Sequence, residues 1–212
     1  LQNYLNENPW FTKYDYIWLP DDDIFMETND VNKLFKFMYD YDLWIAQPSI
    51  IGHYGVKITL HQMGSLIRFT NWVEIMCPCF SSKSLEICKQ SFKENNTGWS
   101  IETIWNYLLG HPKDKIAIID DVIAIHTRAT CKGETYNNPI DAMQEAVDVY
   151  YKWGLDKEME KDIIDGKPTG GEVYCSVVYK QLFKEMEDGI EKSARFWPQL
   201  PWLKNQISNI KA

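Results

Sequence analysis

The sequence predicts an α/β domain with a mixed sheet flanked by helices, followed by a mainly helical C-terminal region. Two observations lead to this fold class. Short apolar runs typical of strands alternate with amphipathic helical patterns over residues 1–136. From Asn137 onward, helical and charged patterns replace the strand-like runs. We therefore expect an α/β catalytic domain over residues 1–136 and a helical extension packed on it over residues 137–212.

Composition narrows the class of protein. The chain has 212 residues, of which 45% are hydrophobic, and it carries a formal net charge of −8. That length allows a sizeable core, and the acidic balance argues against nucleic acid or an anionic membrane as partner. No apolar run reaches the length of a membrane span, and no signal peptide is visible. We therefore expect a cytoplasmic protein without a membrane span.

The five cysteines include one close pair, Cys77 and Cys79, on either side of a proline. No second pair follows at the spacing of a zinc site, so the pattern favours buried free thiols in a reducing compartment over a metal centre.

The first strand is predicted in "YDYIWLPDDDIF", residues 14–25. Its apolar centre indicates a short buried strand, and Pro20 ends it because proline cannot donate to a sheet. Asp21, Asp22 and Asp23 follow at the carboxyl end of that strand. Three adjacent like charges are tolerable only if water solvates them or a cation neutralises them. The alternative is a solvated acidic loop or a cap for the next helix.

The remaining elements of the domain alternate along the chain. In order they are a helix in "ETNDVNKLFKFMYDYD" capped by Thr28, Asn29 or Asp30, a strand in "LWIAQPSI" ended by Pro48, a strand in "NWVEIMCPCF", a helix in "SSKSLEICKQSFKEN" capped by Ser81 or Ser82, a helix in "GWSIETIWNYLLGHP", and either two strands or one bent strand in "KIAIIDDVIAIHT". The extension contributes a helix in "NPIDAMQEAVDVYYKWG" and a long helix from about Val173 to Ala194.

Three groups of polar side chains are expected at the ends of predicted elements. They are the aspartates 21–23, Glu102 in the first turn of its helix, and His126 at the end of the last strand. Ligands of α/β sheets bind beyond the carboxyl ends of strands, so these side chains are candidates for one site. Glu102 and His126 also have plainer interpretations, the first as an acid that favours a helix N-terminus and the second as a structural residue. Asp120 and Asp121, which interrupt the last apolar run, are most simply turn residues.

The blocks "YDYIWLPDDDI", "NWVEIMCPCFS", "GWSIETIWNYLLG" and "IAIIDDVIAIHT" resemble, in this order, a family of plant and bacterial domains of unknown function. That family is in turn similar to glycosyltransferases of the GT-A fold. The resemblance covers about residues 7–130. It implies that Asp21 and Asp23 end an Asp-x-Asp motif, which binds the diphosphate of a nucleotide sugar through Mn²⁺ or Mg²⁺.

By the same resemblance, His126 corresponds to a late metal ligand and Glu102 to the base of many inverting members. The start of a helix would keep that carboxylate ionised. Asp22 would contact substrate, and Trp72, Trp99 and Trp105 could stack on a sugar face, although core packing better explains most of these tryptophans. The implied partners are a nucleotide-sugar donor and a carbohydrate or other hydroxyl acceptor.

GT-A enzymes usually place a nucleotide-binding strand and helix well before the Asp-x-Asp motif, whereas twenty residues precede Asp21 here. Either that part lies outside this chain or donor binding is reduced. Two other functions therefore stay open. One is a non-catalytic binding or scaffold protein with a degenerate transferase fold. The other is a phosphotransferase that uses two metals and additional acids such as Asp120 and Asp121.

Overall fold

The computed structural model describes residues 1–52, 56–128, 139–155 and 173–178, without the side chains of 139–143 and 175–178. The helices of these residues are α1 (Gln2–Glu7), α2 (Thr28–Asp40), α3 (Ser82–Cys88), α4 (Ile101–Leu108) and α5 (Pro139–Lys152), with 3-10 turns at Pro9–Lys13, Lys57–Thr59 and Lys89–Lys93. The strands are β1 (Tyr16–Trp18), β2 (Ile24–Phe25), β3 (Ile45–Gly52), β4 (Ser65–Thr70), β5 (Cys79–Ser81), β6 (Ile116–His126) and β7 (Val173–Val178).

The chain divides into two units, Leu1–Val177 and Val178–Ala212. All but Val178 of the second unit lies outside the described residues. The first unit contains the sheet and every candidate site residue named above.

All seven strands belong to one mixed sheet. The strand order is β1-β5-β3-β6-β4-β7, and the short strand β2 pairs with the far end of β6. Strands β3 and β6 run parallel, whereas β1 with β5, β3 with β5, β4 with β6 and β2 with β6 are antiparallel. The predicted α/β class with a mixed sheet and flanking helices is confirmed.

The central strands are buried on both faces. Neighbouring residues point to opposite sides of a strand, and in β3 the side chains of Ile45 and Ala46 accordingly join different core clusters. The Ile45 cluster contains Ile101 of α4, and the Ala46 cluster contains Leu34 of α2. Burial on both faces explains why these strands appear in the sequence as continuous apolar runs.

Strands β3 and β6 are interrupted by a large bulge. Pro48 pairs with Ile119, but the next residue, Ser49, pairs with Ile123, so residues 120–122 have no partner in β3. The prediction that Pro48 ends its strand is therefore wrong. Proline is accepted inside a sheet at a bulge, where the missing N–H is not needed for pairing. "KIAIIDDVIAIHT" forms one bent strand, the second of the two alternatives.

The bulge encloses a buried ion pair. Asp120 accepts hydrogen bonds from Arg68 Nε at 2.7 Å and Nη2 at 3.0 Å, and both residues are only 1% exposed. Arg68 also donates to the carbonyls of Ile58 and Leu60, and the backbone N–H of Gln62 donates to Asp120. Asp120 is thus not a turn residue, because the arginine allows it to be buried inside the sheet.

Two further elements differ from the sequence prediction. The segment "NWVEIMCPCF" is not one strand, because β5 begins only at Cys79 and the residues before it are irregular. Trp72 and Val73 are both buried, so these neighbours do not alternate between a buried and an exposed side. Residues Val173–Val178 form strand β7 beside β4, where we predicted the start of a long helix. The rest of that predicted helix lies outside the described residues.

Local helix signals predict the other elements well. Strand β5 leads into α3, and the backbone N–H of Ser84 donates to the hydroxyl of the N-cap residue Ser81 at 3.2 Å, as predicted. Helices α2, α4 and α5 lie where their patterns place them, although the N-cap of α2 is Glu27 and uses no side-chain cap.

Cys77, Cys79 and Cys88 are free and buried, as expected of structural thiols. Among the described residues, no helix combines the length and apolar character needed to cross a bilayer.

We predict that Arg68→Met destabilises the fold by about 3–5 kcal/mol, because it leaves the Asp120 carboxylate buried without a cation. Urea denaturation measures this change. Lys36→Met is the matched control, since it breaks an exposed pair with Asp40 on α2 and should cost below about 0.5 kcal/mol. Equal losses from the two variants would contradict a special role for the buried pair.

Candidate active site

The three consecutive aspartates are held by main-chain contacts with the irregular segment before β5. The N–H of Leu19 donates to the carbonyl of Pro78 at 2.9 Å, and the N–H of Asp21 donates to that of Met76 at 2.7 Å. A turn follows, in which the N–H of Ile24 donates to the carbonyl of Asp21. The acidic run therefore continues the edge of the sheet after β1 ends, at the position that the sequence predicts.

Asp23 and His126 meet at the end of β6. Nε2 of His126 lies 3.3 Å from Oδ2 of Asp23, and both side chains are largely buried. The Asp23 carbonyl also accepts hydrogen bonds from the N–H and the hydroxyl of Thr127, at 3.0 and 2.9 Å. Pairing of β2 with β6 thus brings together two residues that are 103 positions apart. Asp23 and His126 are thus in contact, and their role as metal ligands together with Asp21 stays a prediction.

A glycine makes room for this contact. Gly52, the last residue of β3, is the partner of His126 in the parallel pairing and has a φ of 91°. A Cβ atom on Gly52 would lie 2.7 Å from the backbone carbonyl oxygen of His126. Any other residue would therefore strain the backbone and displace the end of β6.

The other two aspartates of the run have different surroundings. Asp21 is exposed as a residue, but the partial burial of its carboxyl group and the neighbouring charge of Asp23 raise its pKa to about 6, although His126 acts in the opposite direction. Asp22 points into solvent, and its Oδ2 is 3.5 Å from a guanidinium nitrogen of the exposed Arg128. The structure therefore groups Asp21 with Asp23 and His126, and directs Asp22 away from them.

Glu74 is a member of this cluster that the sequence analysis missed. It lies two residues before Met76, and its N–H donates to the side-chain carbonyl of the buried Gln47. Burial and the charge of Asp21 raise the pKa of Glu74 to about 7. Its Oε2 is buried and finds no hydrogen-bond partner among the described residues. The available signal was a single acid inside the otherwise apolar run "NWVEIMCPCF".

Glu102 is coupled electrostatically to Glu74. It is 9% exposed, and its Oε2 likewise has no hydrogen-bond partner in the described part of the chain. Burial, and then the charge of Glu74, raise the pKa of Glu102 to about 8. The expectation that the helix start keeps this carboxylate ionised is wrong, because burial outweighs the helix dipole. No cation of the described residues forms an ion pair with Glu102.

Four carboxyl groups are therefore coupled one to the next. The charge of Asp23 raises the pKa of Asp21, that of Asp21 raises the pKa of Glu74, and that of Glu74 raises the pKa of Glu102. Within the described residues, no three His, Cys, Asp or Glu side chains are arranged as a ready-made metal cage. Asp23 and His126 are in contact, and Asp21 lies near enough to be affected by both. Such a set resembles the magnesium sites that use one or two carboxylates and leave the other positions to water and substrate phosphate.

The loop that leads to Glu102 is held by α5. Glu145 accepts hydrogen bonds from the N–H groups of Asn96 and Thr97, and these contacts lower the pKa of its carboxyl group. Ser100, the N-cap residue of α4, has a φ of 68°, which is the left-handed region that only a few non-glycine residues adopt. Contacts from α5 thus support a strained turn directly before Glu102.

The tryptophans that we considered for sugar stacking are mostly core residues. Trp72 is 6% exposed. Trp105 packs edge-on against Phe80 in the core and donates to the hydroxyl of Ser91. Trp99 is half-buried, and its carbonyl accepts a hydrogen bond from Asn95. Of the three, Trp99 is the most exposed to solvent.

The two-metal phosphotransferase hypothesis required further acids at strand ends. Asp120 is committed to Arg68 inside the sheet, and Asp121 lies 3.7 Å from Lys33 of α2. The structure therefore offers neither acid to a second metal near Asp23.

Comparison of the chain with protein-family models, curated proteins and solved structures finds no match.

We predict that Gly52→Ala lowers stability more than Gly110→Ala does. Both positions have positive φ, but only at Gly52 would the new Cβ meet a backbone atom. The control should cost about 1 kcal/mol from the left-handed backbone alone, and Gly52→Ala should exceed that cost. Thermal denaturation measures the Tm of both variants. Equal shifts in Tm would show that the end of β6 moves away from the new Cβ atom at no cost in stability.

We predict that the free energy of unfolding falls as the pH rises towards 8. Because folding raises the pKa of Glu102 from 4.5 to about 8, the folded state binds the proton more tightly than the unfolded state does. Its contribution to stability is complete below pH 4.5 and is lost as pH rises through 8. Glu74 and Asp21 act in the same direction at lower pH. Glu102 and Glu74 each contribute at most about 1.4 kcal/mol per pH unit over their own ranges, and the exposed Asp21 contributes less because solvent screens its charge.

Glu102→Gln should therefore flatten the decline of the unfolding free energy between pH 7 and 8, which urea titrations at several pH values can measure. The exposed residue Glu86, changed to Gln, is the control and should leave the slope unchanged. A wild-type slope in the Glu102→Gln variant would show that this residue is not the buried proton carrier.

Proposed function

We propose that the chain is a cation-dependent glycosyltransferase, which moves a sugar from a nucleotide-sugar donor to an acceptor hydroxyl. The observation that supports it is the contact between Asp23 and His126, whose Oδ2 and Nε2 atoms are 3.3 Å apart, together with the raised pKa values of the nearby carboxyl groups of Asp21, Glu74 and Glu102. Such an arrangement repels itself at neutral pH and is relieved by a divalent cation or by retained protons. Cation binding and proton transfer are the two requirements of this reaction.

The residues present fit a hard divalent cation. Carboxylate oxygens suit Mg²⁺ and Mn²⁺, and an imidazole beside them favours Mn²⁺. Asp23 and His126 would hold the cation, and Asp21 would bind it or the ribose of the donor. Because the chain supplies so few ligands, the diphosphate of the donor would complete the coordination. When bound, the cation would neutralise the negative charge that develops on the departing diphosphate.

The protein's own residues would then handle the acceptor. A carboxylate of the Glu74–Glu102 pair takes the proton of the acceptor hydroxyl. The acceptor oxygen attacks the anomeric carbon from the side opposite the diphosphate, and the bond from that carbon to the diphosphate breaks. The proposed outcome is inversion at that carbon. Burial raises the pKa values of both glutamates towards neutral pH, and a general base is most effective when its pKa lies near the operating pH.

We predict that Mn²⁺ binds weakly to the protein alone and at least about tenfold more tightly in the presence of UDP or GDP, because the diphosphate supplies missing ligands. Isothermal titration calorimetry measures both affinities. Asp23→Asn should abolish the enhancement by nucleotide, since it removes a ligand charge with little change in shape.

Asp15→Asn is the matched control, because it removes the same charge from an exposed residue at the opposite end of β1. Equal losses from the two variants would mean that only net charge matters. If neither UDP nor GDP alters Mn²⁺ binding to the wild-type protein, the proposed donor site is wrong. Nucleotide binding without turnover of any donor would favour the non-catalytic binding protein.

A further inference from the structure

We propose that His61 belongs to the candidate site and that its Nε2 accepts a hydrogen bond from a hydroxyl group of a carbohydrate substrate. This inference rests on the proposed glycosyl transfer, because it adds a residue that binds a sugar in that reaction. It also gives the buried pair of Arg68 and Asp120 a second role, which is to hold the segment that carries His61.

His61 is joined to β3 through both its main chain and its ring. Its N–H donates to the carbonyl of Ile50 at 3.1 Å, and Nδ1 of the ring lies 3.0 Å from Oγ of Ser49. Ser49 is fully buried, and its hydroxyl donates to the carbonyl of Val122, in the bulge of β6, at 3.1 Å. His61 itself is half-buried. The ring is therefore anchored to the interior, while part of the residue stays open to solvent.

These contacts determine which nitrogen of the neutral ring carries the hydrogen. A serine hydroxyl has one proton to donate, and a carbonyl oxygen can only accept. Because Ser49 donates to Val122, its oxygen can take part in the second contact only as an acceptor, so Nδ1 of His61 donates. The hydrogen-bond network thus assigns a lone pair to Nε2. Among the described residues, Nε2 has no hydrogen-bond partner.

The buried ion pair holds the main chain on both sides of His61. Its guanidinium donates to the carbonyls of Ile58 and Leu60, at 2.6 and 2.8 Å, and its carboxylate accepts from the N–H of Gln62 at 2.9 Å. Burial of such a pair is costly unless hydrogen bonds of this kind satisfy it. A fixed main chain and a fixed ring together hold the Nε2 lone pair in one direction, which is what a preorganised binding site requires.

His61 lies on the side of β3 that carries Glu74. Gln47 and Ser49 are two residues apart in β3, so their side chains point to the same face, about 7 Å apart. Gln47 accepts the N–H of Glu74, and Ser49 binds the ring of His61. Thr59, two residues before His61, lies near enough to Glu74 to act on the pKa of its carboxyl group. A ligand beside Glu74 is therefore within reach of His61.

A hydroxyl group is the ligand that these two side chains fit. Nε2 of His61 and Oε2 of Glu74 can both accept a hydrogen bond, and neither has a partner among the described residues. A metal ion at His61 would need more ligands, and no three His, Cys, Asp or Glu side chains within the described part of the chain form such a set. The O–H groups of a sugar supply the donors that both atoms lack. The donor sugar and the acceptor sugar share this chemistry.

NMR of the histidine rings tests the hydrogen on Nδ1 in the full wild-type chain, at an alkaline pH where the ring is neutral. Two-bond ¹H–¹⁵N correlations should show Nδ1 of His61 as the protonated nitrogen and Nε2 as the bare one. Loss of the signals in His61→Asn assigns them. Ser49→Ala removes the acceptor of the Nδ1–H and should move the hydrogen towards Nε2. A hydrogen on Nε2 of His61 in the wild-type protein would overturn the proposal.

Sugar binding is tested on the same signals with Mg²⁺, which causes no paramagnetic broadening. One arm compares UDP and GDP with UDP-glucose, UDP-galactose, UDP-N-acetylglucosamine and GDP-mannose, and the other uses the methyl glycosides of these sugars. One arm should move the Nε2 signal of His61 beyond any change that UDP or GDP causes. A response to the nucleotide sugars assigns His61 to the donor, and a response to the methyl glycosides assigns it to the acceptor.

Calorimetry then measures the contribution of His61 to affinity. His61→Asn keeps an amide N–H near the position of Nδ1 and lacks Nε2, so it should weaken binding of the responding sugar about tenfold and leave binding of UDP and GDP unchanged. Gln62→Ala is the matched control, because it removes the exposed side chain of the next residue and keeps the main-chain N–H that binds Asp120.

The outcomes separate this inference from the proposed function. If nucleotide sugars bind but His61→Asn and Gln62→Ala bind every probe equally well, the role of His61 is wrong and the glycosyltransferase proposal stands. If UDP and GDP do not bind while a methyl glycoside binds through His61, the glycosyltransferase proposal fails and the sugar contact stands. No response of the His61 ring to any probe would overturn the inference.

Discussion

The buried ion pair between Arg68 and Asp120 is the interaction on which the rest of the domain depends. It fills the bulge in β6, after which the pairing with β3 resumes in a shifted register that ends at Gly52 and His126. A lone carboxylate could not be buried there, because desolvation would cost several kcal/mol. By binding the carbonyls of residues 58 and 60, the arginine also fixes the turn beside Thr59. The end of β6, where Asp23 docks, is thus determined from inside the sheet.

Charge is distributed in the opposite way at the candidate site. Asp120 has its cation within the protein, whereas Asp21, Glu74 and Glu102 have acidic neighbours and raised pKa values. Among the described residues, no lysine or arginine forms an ion pair with these three carboxyl groups. We interpret the difference as functional, since perturbed carboxyl groups are concentrated at sites of catalysis and cation binding. The proposed reaction uses both properties of the cluster: it attracts a cation and it holds protons near neutral pH.

The sequence predicted those features that depend on local signals. Ser81 caps α3 through its own side chain, and the acidic run follows a buried strand whatever the partner strand is. Features that depend on distant contacts were missed or mistaken. Pro48 is tolerated because of the bulge, and Val173 is in a strand because β4 offers an edge. Glu74 was missed for the same reason, since only tertiary packing brings it to Asp21 and α4.

We propose that these carboxyl groups hold protons near neutral pH and that a divalent cation with a diphosphate displaces them. The most direct test measures the protons released when Mn²⁺ is titrated into the protein with UDP at pH 7, by calorimetry in buffers of different ionisation enthalpy. Mn²⁺ titrated into UDP alone is subtracted. The account predicts release of about half a proton to one proton per Mn²⁺ bound, because a nearby cation lowers the pKa values of Glu74 and Glu102. Binding of Mn²⁺ and UDP without any proton release would contradict it.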